Sequence, residues 1–272
     1  MFEPLPEDLA DAIAAAGESL GTFARLRYRA EVESTNDLAL MLAAAGDSEG
    51  TAVIADVQRA GRGRRGRAWH SPAGAGLYLS IVVEPPQRAG SLPLVTLAAG
   101  VAVAVAIRQA TALPVELKWP NDVVIGRPWR KLGGVLSEAA STGSSVLAIV
   151  IGIGLNLQQA QYPRELAGRA TSLEAELGRP VSRAVIVVEI LRQMRAIMHR
   201  LRDDDAARLC AEWRQLGAAG LGGHVCWREN GQDRRGRAVD IAADGALLVD
   251  VGDGRVERVI AGEVNWESLP RG

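Results

Sequence analysis

The stretch GRGRRGRAWHSP, residues 61–72, lies between two segments that read as β-strands, TAVIADVQ (51–58) and GLYLSIVVE (76–84). Gly61, Gly63 and Gly66 satisfy G-x-G-x-x-G, but a dinucleotide fold needs a helix to open directly behind those glycines. Here Trp69, Pro72 and Gly74 lead into another strand. The strand–glycine loop–strand order also fits a kinase-type phosphate flap, yet the chain has no DFG or HRD, and the loop is not G-x-x-x-x-G-K-[ST]. What is left is a loop for anions. Counting back to Arg59, five arginines fall within nine residues. Their guanidiniums suit bidentate contact with phosphate or carboxylate, and the glycines let backbone N–H groups come close. A solvated surface loop explains the same pattern taken alone.

Composition sets the frame for that loop. The chain has 272 residues, of which 48 % are hydrophobic and 23 % charged, enough for one large domain and a small one. A formal net charge of -1 supplies no overall positive field, so a general nucleic-acid or membrane binder is not expected. Cys210 and Cys226 are the only cysteines, and His70, His199 and His224 stand at no spacing typical of a metal site, which argues against structural zinc. The N-terminus MFEPLPEDLADAI carries acid and proline where a signal peptide has basic residues and an apolar run, so the expected location is cytoplasmic with both thiols reduced. LVTLAAGVAVAVAI, 94–107, is too short for ~30 Å of hydrocarbon and reads as a buried helix.

Periodicity gives the remaining elements. Residues 7–16 read as a helix and LRYRAEV as a strand running to Ser34. STNDLALMLAAAG (34–46) is a helix whose start is written in: Ser34 or Thr35 can cap, Asp37 has capping-box spacing, and Gly46 stops it. VELKWPNDVVIG, RKLGGVLSEAA and SSVLAIVIGIGLNL add sheet segments. SRAVIVVEILRQMRAIMHRLRDD reads as a helix with apolar positions at 185, 188, 191 and 198, the 194–195 turn between them, and an arginine-rich outer face. From Leu221, HVCWRE, GRAVDIA, ALLVDV and RVERVI alternate between DG and GDG turns, the texture of a small barrel-like module. The expectation is an α/β core over 1–217 and a β module over 218–272, with the boundary between Gly217 and Gly223.

Four further stretches carry polar groups into apolar surroundings. Ser34, Thr35 and Asn36 open a helix, where plain capping is the usual role but anions and polar ligand groups also bind. KWPND sets Lys118, Asn121 and Asp122 around Pro120, which breaks strand pairing and can turn them into a cleft or leave them in a surface turn. RKLGG places Lys131 before Gly133 and Gly134, either as a solvated strand end or where backbone closes on a ligand. GIGLNL holds Asn156 inside an apolar strand, where an unpaired amide costs about 1–3 kcal/mol, so it bonds to backbone or faces a polar ligand.

Taken in order, ESTND, QRAGRGRRGRAWHSP, GLYLSI, KWPND, RKLGGVLSE and GIGLN resemble the biotin protein ligases, from about Val32 through Asn156 and again in the C-terminal module. The resemblance implies an α/β (α+β) fold: a mixed sheet flanked by helices like the class II aminoacyl-tRNA synthetase core, followed by an SH3-like barrel. It implies an enzyme that activates biotin with ATP and Mg²⁺ as biotinyl-5′-AMP and transfers it to a lysine of a biotin carboxyl carrier domain. By the same resemblance, biotin lies against Ser34, Thr35, Asn36, Gln58, Arg62, Gly63, Arg64, Lys131, Gly133 and Gly134. ATP and the adenylate lie against Arg64, Arg67, Trp69, Lys118, Asn121 and Asn156. The catalytic set is Lys118, Arg64, Arg67 and Asp122, the last for the incoming amine or the ribose.

Some relatives carry an N-terminal winged helix-turn-helix, for which the segment before Ser34 is too short. The expectation is therefore a monofunctional ligase with no DNA and no membrane partner, its state as monomer or homodimer left open. Residues 61–71 are expected to move until ligand arrives, because neighbouring arginines repel one another. A lipoate ligase and a nucleic-acid module acting through the arginine loop are the alternatives weighed.

Overall fold

The computed structural model describes residues 2–70, 72–85, 92–142, 145–159, 166, 168–203, 205–229, 231–260, 262 and 264–268. Ser71 of the arginine loop and the last residues of the expected C-terminal module lie outside them. Elements in chain order are α1 (Glu7–Ala16), β1 (Leu26–Val32), α2 (Thr35–Ala44), β2 (Ala52–Gln58), β3 (Gly76–Val83), α3 (Leu92–Thr111), β4 (Glu116–Lys118), β5 (Asp122–Ile125), β6 (Arg130–Thr142) and β7 (Ser145–Asn156). Then follow α4 (Leu173–Leu177), α5 (Arg183–Arg202), α6 (Ala206–Gly217), β8 (His224–Glu229), β9 (Gln232–Ile241), β10 (Leu247–Gly252), β11 (Arg255–Val259) and β12 (Val264–Ser268).

Seven strands make one mixed sheet in the order β1-β2-β3-β7-β6-β5-β4. β1 and β2 run parallel, and the other neighbours are antiparallel. The strands β2, β3 and β7 are apolar almost throughout because both faces of the sheet are covered. Ile54, Ile81, Val83, Ile149 and Ile151 join the main core with α3 and α5. Val53, Val82, Ala148 and Val150, one residue out of phase, pack with Ala39 and Ala43 of α2 on the opposite face.

α3 runs six residues beyond the apolar run read from the sequence, over 20 residues and about 30 Å. Among the described residues it is the one helix long and apolar enough to cross a membrane, and it is largely buried against α5, α6 and β6. α5 forms where expected, and Val188, Leu191, Met194 and Met198 of the expected stripe are buried, joined by Ile186, Val187, Ile190, Ile197 and Leu201; Val185, in the first turn, is the exception at 49 % exposed. The capping box at α2 does not form. Ser34 is the N-cap residue without a side-chain capping bond, and the Asp37 carboxylate turns to Arg62.

The C-terminal strands form an antiparallel sheet ordered β11-β10-β9-β8-β12. Three elements were not anticipated. β12 is too short to show alternation, α4 is a single short turn region, and α6 buries Leu209, Cys210, Trp213 and Leu216 in a segment without a long apolar run. Val225, Trp227, Ile241, Leu247, Val249 and Val259 share one cluster with the α/β core. The indole N–H of Trp119 donates to the Gly245 carbonyl at 3.0 Å, and Arg214 reaches Asp240 at 2.5 Å.

Candidate active site

Along β7 the even positions continue the face that carries α2. After Ala148 and Val150 come Gly152, Gly154 and Asn156, and the two glycines, lacking side chains, open space over the sheet. A Cβ on Gly152 would run into the Asn36 amide, and one on Gly154 would lie 2.6 Å from the Trp69 indole. The two glycines of GIGLN therefore seat the helix start and the loop tryptophan, and a cavity of about 430 Å³ forms between them.

The floor of this cavity is a buried hydrogen-bond network. Gln58 Oε1 accepts from the Thr35 backbone N–H and hydroxyl, both at 2.9 Å. Ser80, fully buried on β3, lies 2.7 Å from Thr35 Oγ1 and 2.6 Å from Asn36 Oδ1. Its single proton serves one of them: with the Thr35 hydroxyl donating to Gln58, Ser80 donates either to Thr35 Oγ1 or to Asn36 Oδ1. Asn36 Nδ2 donates to Glu138 Oε2 at 2.6 Å. Satisfaction of this kind is what makes buried amides and hydroxyls tolerable, and it fixes their orientation toward whatever fills the space.

The arginine loop closes one wall. It folds back on itself through Gly63 N–H to Arg67 O at 2.7 Å and Trp69 N–H to Gly61 O at 2.8 Å, with Arg65 (φ 58°) and Gly66 (φ 70°) in the left-handed region. Its five arginines do not converge on one point, contrary to the simplest reading. Arg59 points away to Glu31 at 2.6 Å, and Arg62 grips Asp37 at 2.5 and 2.7 Å with Glu138 at 3.4 Å. That pairing holds the Asp37 carboxyl below the usual carboxylate range and raises the Arg62 guanidinium still further. Arg64, Arg65 and Arg67 line the cavity, and Arg64 donates to the Gly262 carbonyl of the C-terminal module at 3.3 Å.

The opposite wall comes from β4, β5 and β6. Lys118, Asn121 and Asp122 all line the cavity around Pro120, as the broken pairing of KWPND suggested. Asn121 Nδ2 donates to Val135 O at 2.8 Å, and Asp122 holds Lys131 Nζ at 2.5 Å. Lys131 Nζ also stands 5.4 Å from the Trp69 ring centroid. A bulge at Leu132 resets the alternation of β6, so that Lys131 and Gly134 both face the cavity. Gly133 does not. A Cβ there would meet Leu155 and the Gly154 carbonyl on the core side, so its role is close strand packing, not ligand contact. Asn156 bonds to the Thr171 and Lys131 carbonyls at 2.9 and 3.4 Å while lining the cavity, so both readings of it hold together.

Every other residue that the resemblance placed at biotin, ATP or the catalytic step lines this one cavity: Ser34, Thr35, Asn36, Gln58, Arg62, Gly63, Arg64, Arg67, Trp69, Lys118, Asn121, Asp122, Lys131, Gly134 and Asn156. Ser80, Glu138, Gly152 and Trp129 were missed; the GIGLN glycines and the glutamate of RKLGGVLSE lay within quoted motifs and carried the available signal. The described lining residues include Arg62, Arg64, Arg65, Arg67, Lys118, Lys131 and Arg169 against one lining carboxylate, Asp122; even with Arg62 balanced by Asp37 and Glu138 and Lys131 by Asp122, the walls keep an excess of positive charge. Such a cavity favours a ligand with several negative charges.

The cavity thus joins an amide-and-hydroxyl floor to cationic walls, on a mixed sheet with a second β unit at its rim. Residues 28–156 match the biotin/lipoate A/B protein ligase family, and residues 221–265 match the biotin protein ligase C-terminal domain. A biotin–[acetyl-CoA-carboxylase] ligase of Mycobacterium tuberculosis is 37 % identical over 271 residues, covering 96 % of this chain and 95 % of that protein. The bifunctional ligase/repressor BirA of Bacillus subtilis is 32 % identical over 88 % of this chain and 73 % of its own length. A biotin protein ligase from Aquifex aeolicus, solved in complex with biotin and ATP, superposes with a TM-score of 0.76 at 29 % identity, covering 91 % of this chain and 99 % of that one. This chain belongs to the biotin protein ligase family.

Proposed function

We propose that this enzyme joins biotin and ATP into biotinyl-5′-AMP and transfers the biotinyl group to one lysine of a biotin carboxyl carrier domain in a biotin-dependent carboxylase. The observation that carries the proposal is the pairing, in one cavity, of a fixed polar floor for an uncharged bicyclic head with cationic walls for a carboxylate and phosphates. In this reading Ser34, Thr35, Asn36, Gln58, Arg62, Gly63, Lys131 and Gly134 receive biotin. Trp69, Arg67, Asn121 and Asn156 receive the nucleotide, and Arg64 meets both.

Two anions must meet for the first step. A biotin carboxylate oxygen attacks the α-phosphorus of ATP, and the bond from that phosphorus to the oxygen bridging to the β-phosphate breaks, so that pyrophosphate leaves. Arg64, Arg67 and Lys118 offset the charge that accumulates as the new bond forms. Asp122 is the carboxylate among the described lining residues that would hold Mg²⁺, which would supply further charge neutralisation for the phosphates. In the second step the uncharged ε-amine of the carrier lysine attacks the acyl carbon and AMP leaves. Asp122, already placed on Lys131, accepts a hydrogen bond from the incoming amine or from the ribose.

The domains of this reading are 1–217, related to the class II aminoacyl-tRNA synthetase core, and 218–272, an SH3-like barrel, in a cytoplasmic enzyme that acts without DNA. The 61–71 segment tightens on ligand, and amide exchange there should slow when biotin and ATP are added. Ligand-dependent pyrophosphate exchange tests the substrate: exchange with biotin and none with lipoate is expected, and exchange with lipoate alone would replace this reading by a lipoate ligase.

A further inference from the structure

We infer that Trp129 is a positioning residue for Lys118, holding its ammonium at the cavity while the C-terminal module holds the Trp129 ring. The inference rests on the assignment of Lys118 to adenylate formation. Glu116 and Lys118 are two residues apart on β4 and so share a face, opposite the buried Leu117. One indole spans that pair. Its Nε1 donates to Glu116 Oε2 at 3.0 Å, and Lys118 Nζ stands 5.9 Å from its centroid.

The ring itself is held from two further directions. Arg127 stands 5.5 Å from the centroid and binds Glu116 through Nη2 at 2.9 and 3.0 Å, so the carboxylate that orients the indole is itself fixed. From the C-terminal module Trp266 meets Trp129 edge-on, with centroids 5.8 Å apart and planes at 76°. Gly220 makes room for both: a Cβ there would lie 3.0 Å from Trp266 Cη2 and 3.1 Å from Trp129 Cη2. A lysine side chain on its own samples many rotamers, and holding it over a clamped aromatic face narrows them before substrate arrives. A charge that acts on a transferring phosphate is most effective when it needs no rearrangement in the transition state. Trp129 lines the same cavity as Lys118, yet it lies in the RPWR stretch outside every quoted motif.

The test uses the full chain with Trp129→Leu and Trp129→Phe, each alone and combined with Lys118→Ala. Biotin-dependent pyrophosphate exchange, the Kd for biotin and the Tm are read for each. Trp129→Leu is expected to lower kcat for exchange about fivefold to tenfold with biotin Kd unchanged, because the cation-holding face is lost. Trp129→Phe keeps a face and should stay within about threefold. In the Lys118→Ala background Trp129→Leu should add no further loss. A full multiplicative loss in that background would overturn the positioning role, as would a Phe variant no better than Leu or a fall in biotin affinity and Tm matching the fall in kcat. Unsubstituted protein that binds biotin but gives no exchange would overturn the adenylation reading and this role with it, whereas normal exchange unaffected by Trp129→Leu would overturn this role alone.

Discussion

At the scale of single residues the cavity makes sharp demands. Lys118→Ala should slow adenylate formation far more than it weakens biotin binding, since its charge matters most as negative charge grows on the phosphate; single-turnover exchange set beside the biotin Kd checks this, and equal losses would reassign it to ground-state binding. Gly154→Ala should displace Trp69, because a Cβ at 2.6 Å from the indole leaves it no room. Loss of a stacking face is worth about 1–3 kcal/mol, so KM for ATP should rise roughly tenfold while Tm holds. Arg64→Gly removes a charge-assisted contact of about 1.5–3 kcal/mol and should speed escape of the adenylate by one to two powers of ten. Streptavidin blotting of unrelated lysine-rich protein mixed with carrier should then show stray labelling; wild-type levels would deny the loop a retaining role. Away from the cavity, the hydrogen bond that Tyr28 donates to Asp56 at 2.6 Å, with burial, pushes its phenol up to about 12. A raised value means that this contribution to stability is complete below the ordinary tyrosine pKa of about 10 and is lost as pH rises toward that upper value. Tyr28→Phe should remove one phenolate from the late part of a spectrophotometric titration.

At the scale of elements, most of the site was legible in the sequence and the rest was hidden for identifiable reasons. LRYRAEV became β1 residue for residue because an alternating run bounded by polar turns has one reading. The helix start at Ser34 was equally plain, but the partner of Asp37 was not: capping-box spacing is local, whereas the Arg62 guanidinium 25 residues away forms a bidentate ion pair. Gly133 and Gly134 look alike in sequence, and only the bulge at Leu132 decides which faces the cavity. Ser80 sat inside GLYLSI, an apolar strand where a lone serine carries no sign of its partners, and its value comes from α2 lying over that face. The phase read for α5 holds at Val188, Leu191, Met194 and Met198, and fails at Val185, which lies in the first turn where the helix face is uncovered.

Across the whole molecule, the C-terminal sheet is not an appendage. Its inward residues share the core cluster of the α/β part, Trp119 relies on the Gly245 carbonyl, and Arg64 and Trp129 reach across to Gly262 and Trp266. Truncation after Gly217 would strip cover from Trp119, which is 2 % exposed, and leave its N–H without that partner. The shortened chain should lose cooperative thermal unfolding; a folded fragment with normal carrier transfer would show the module to be dispensable. If one cavity makes the mixed anhydride from biotin and ATP, a crystal structure of the protein soaked with both should show it there. Biotinyl-5′-AMP should lie with its bicyclic head against Thr35, Asn36 and Gln58 and its phosphate within hydrogen-bonding distance of Arg64 and Lys118. Biotin and nucleotide bound in separate places, or neither bound between α2 and the arginine loop, would contradict it.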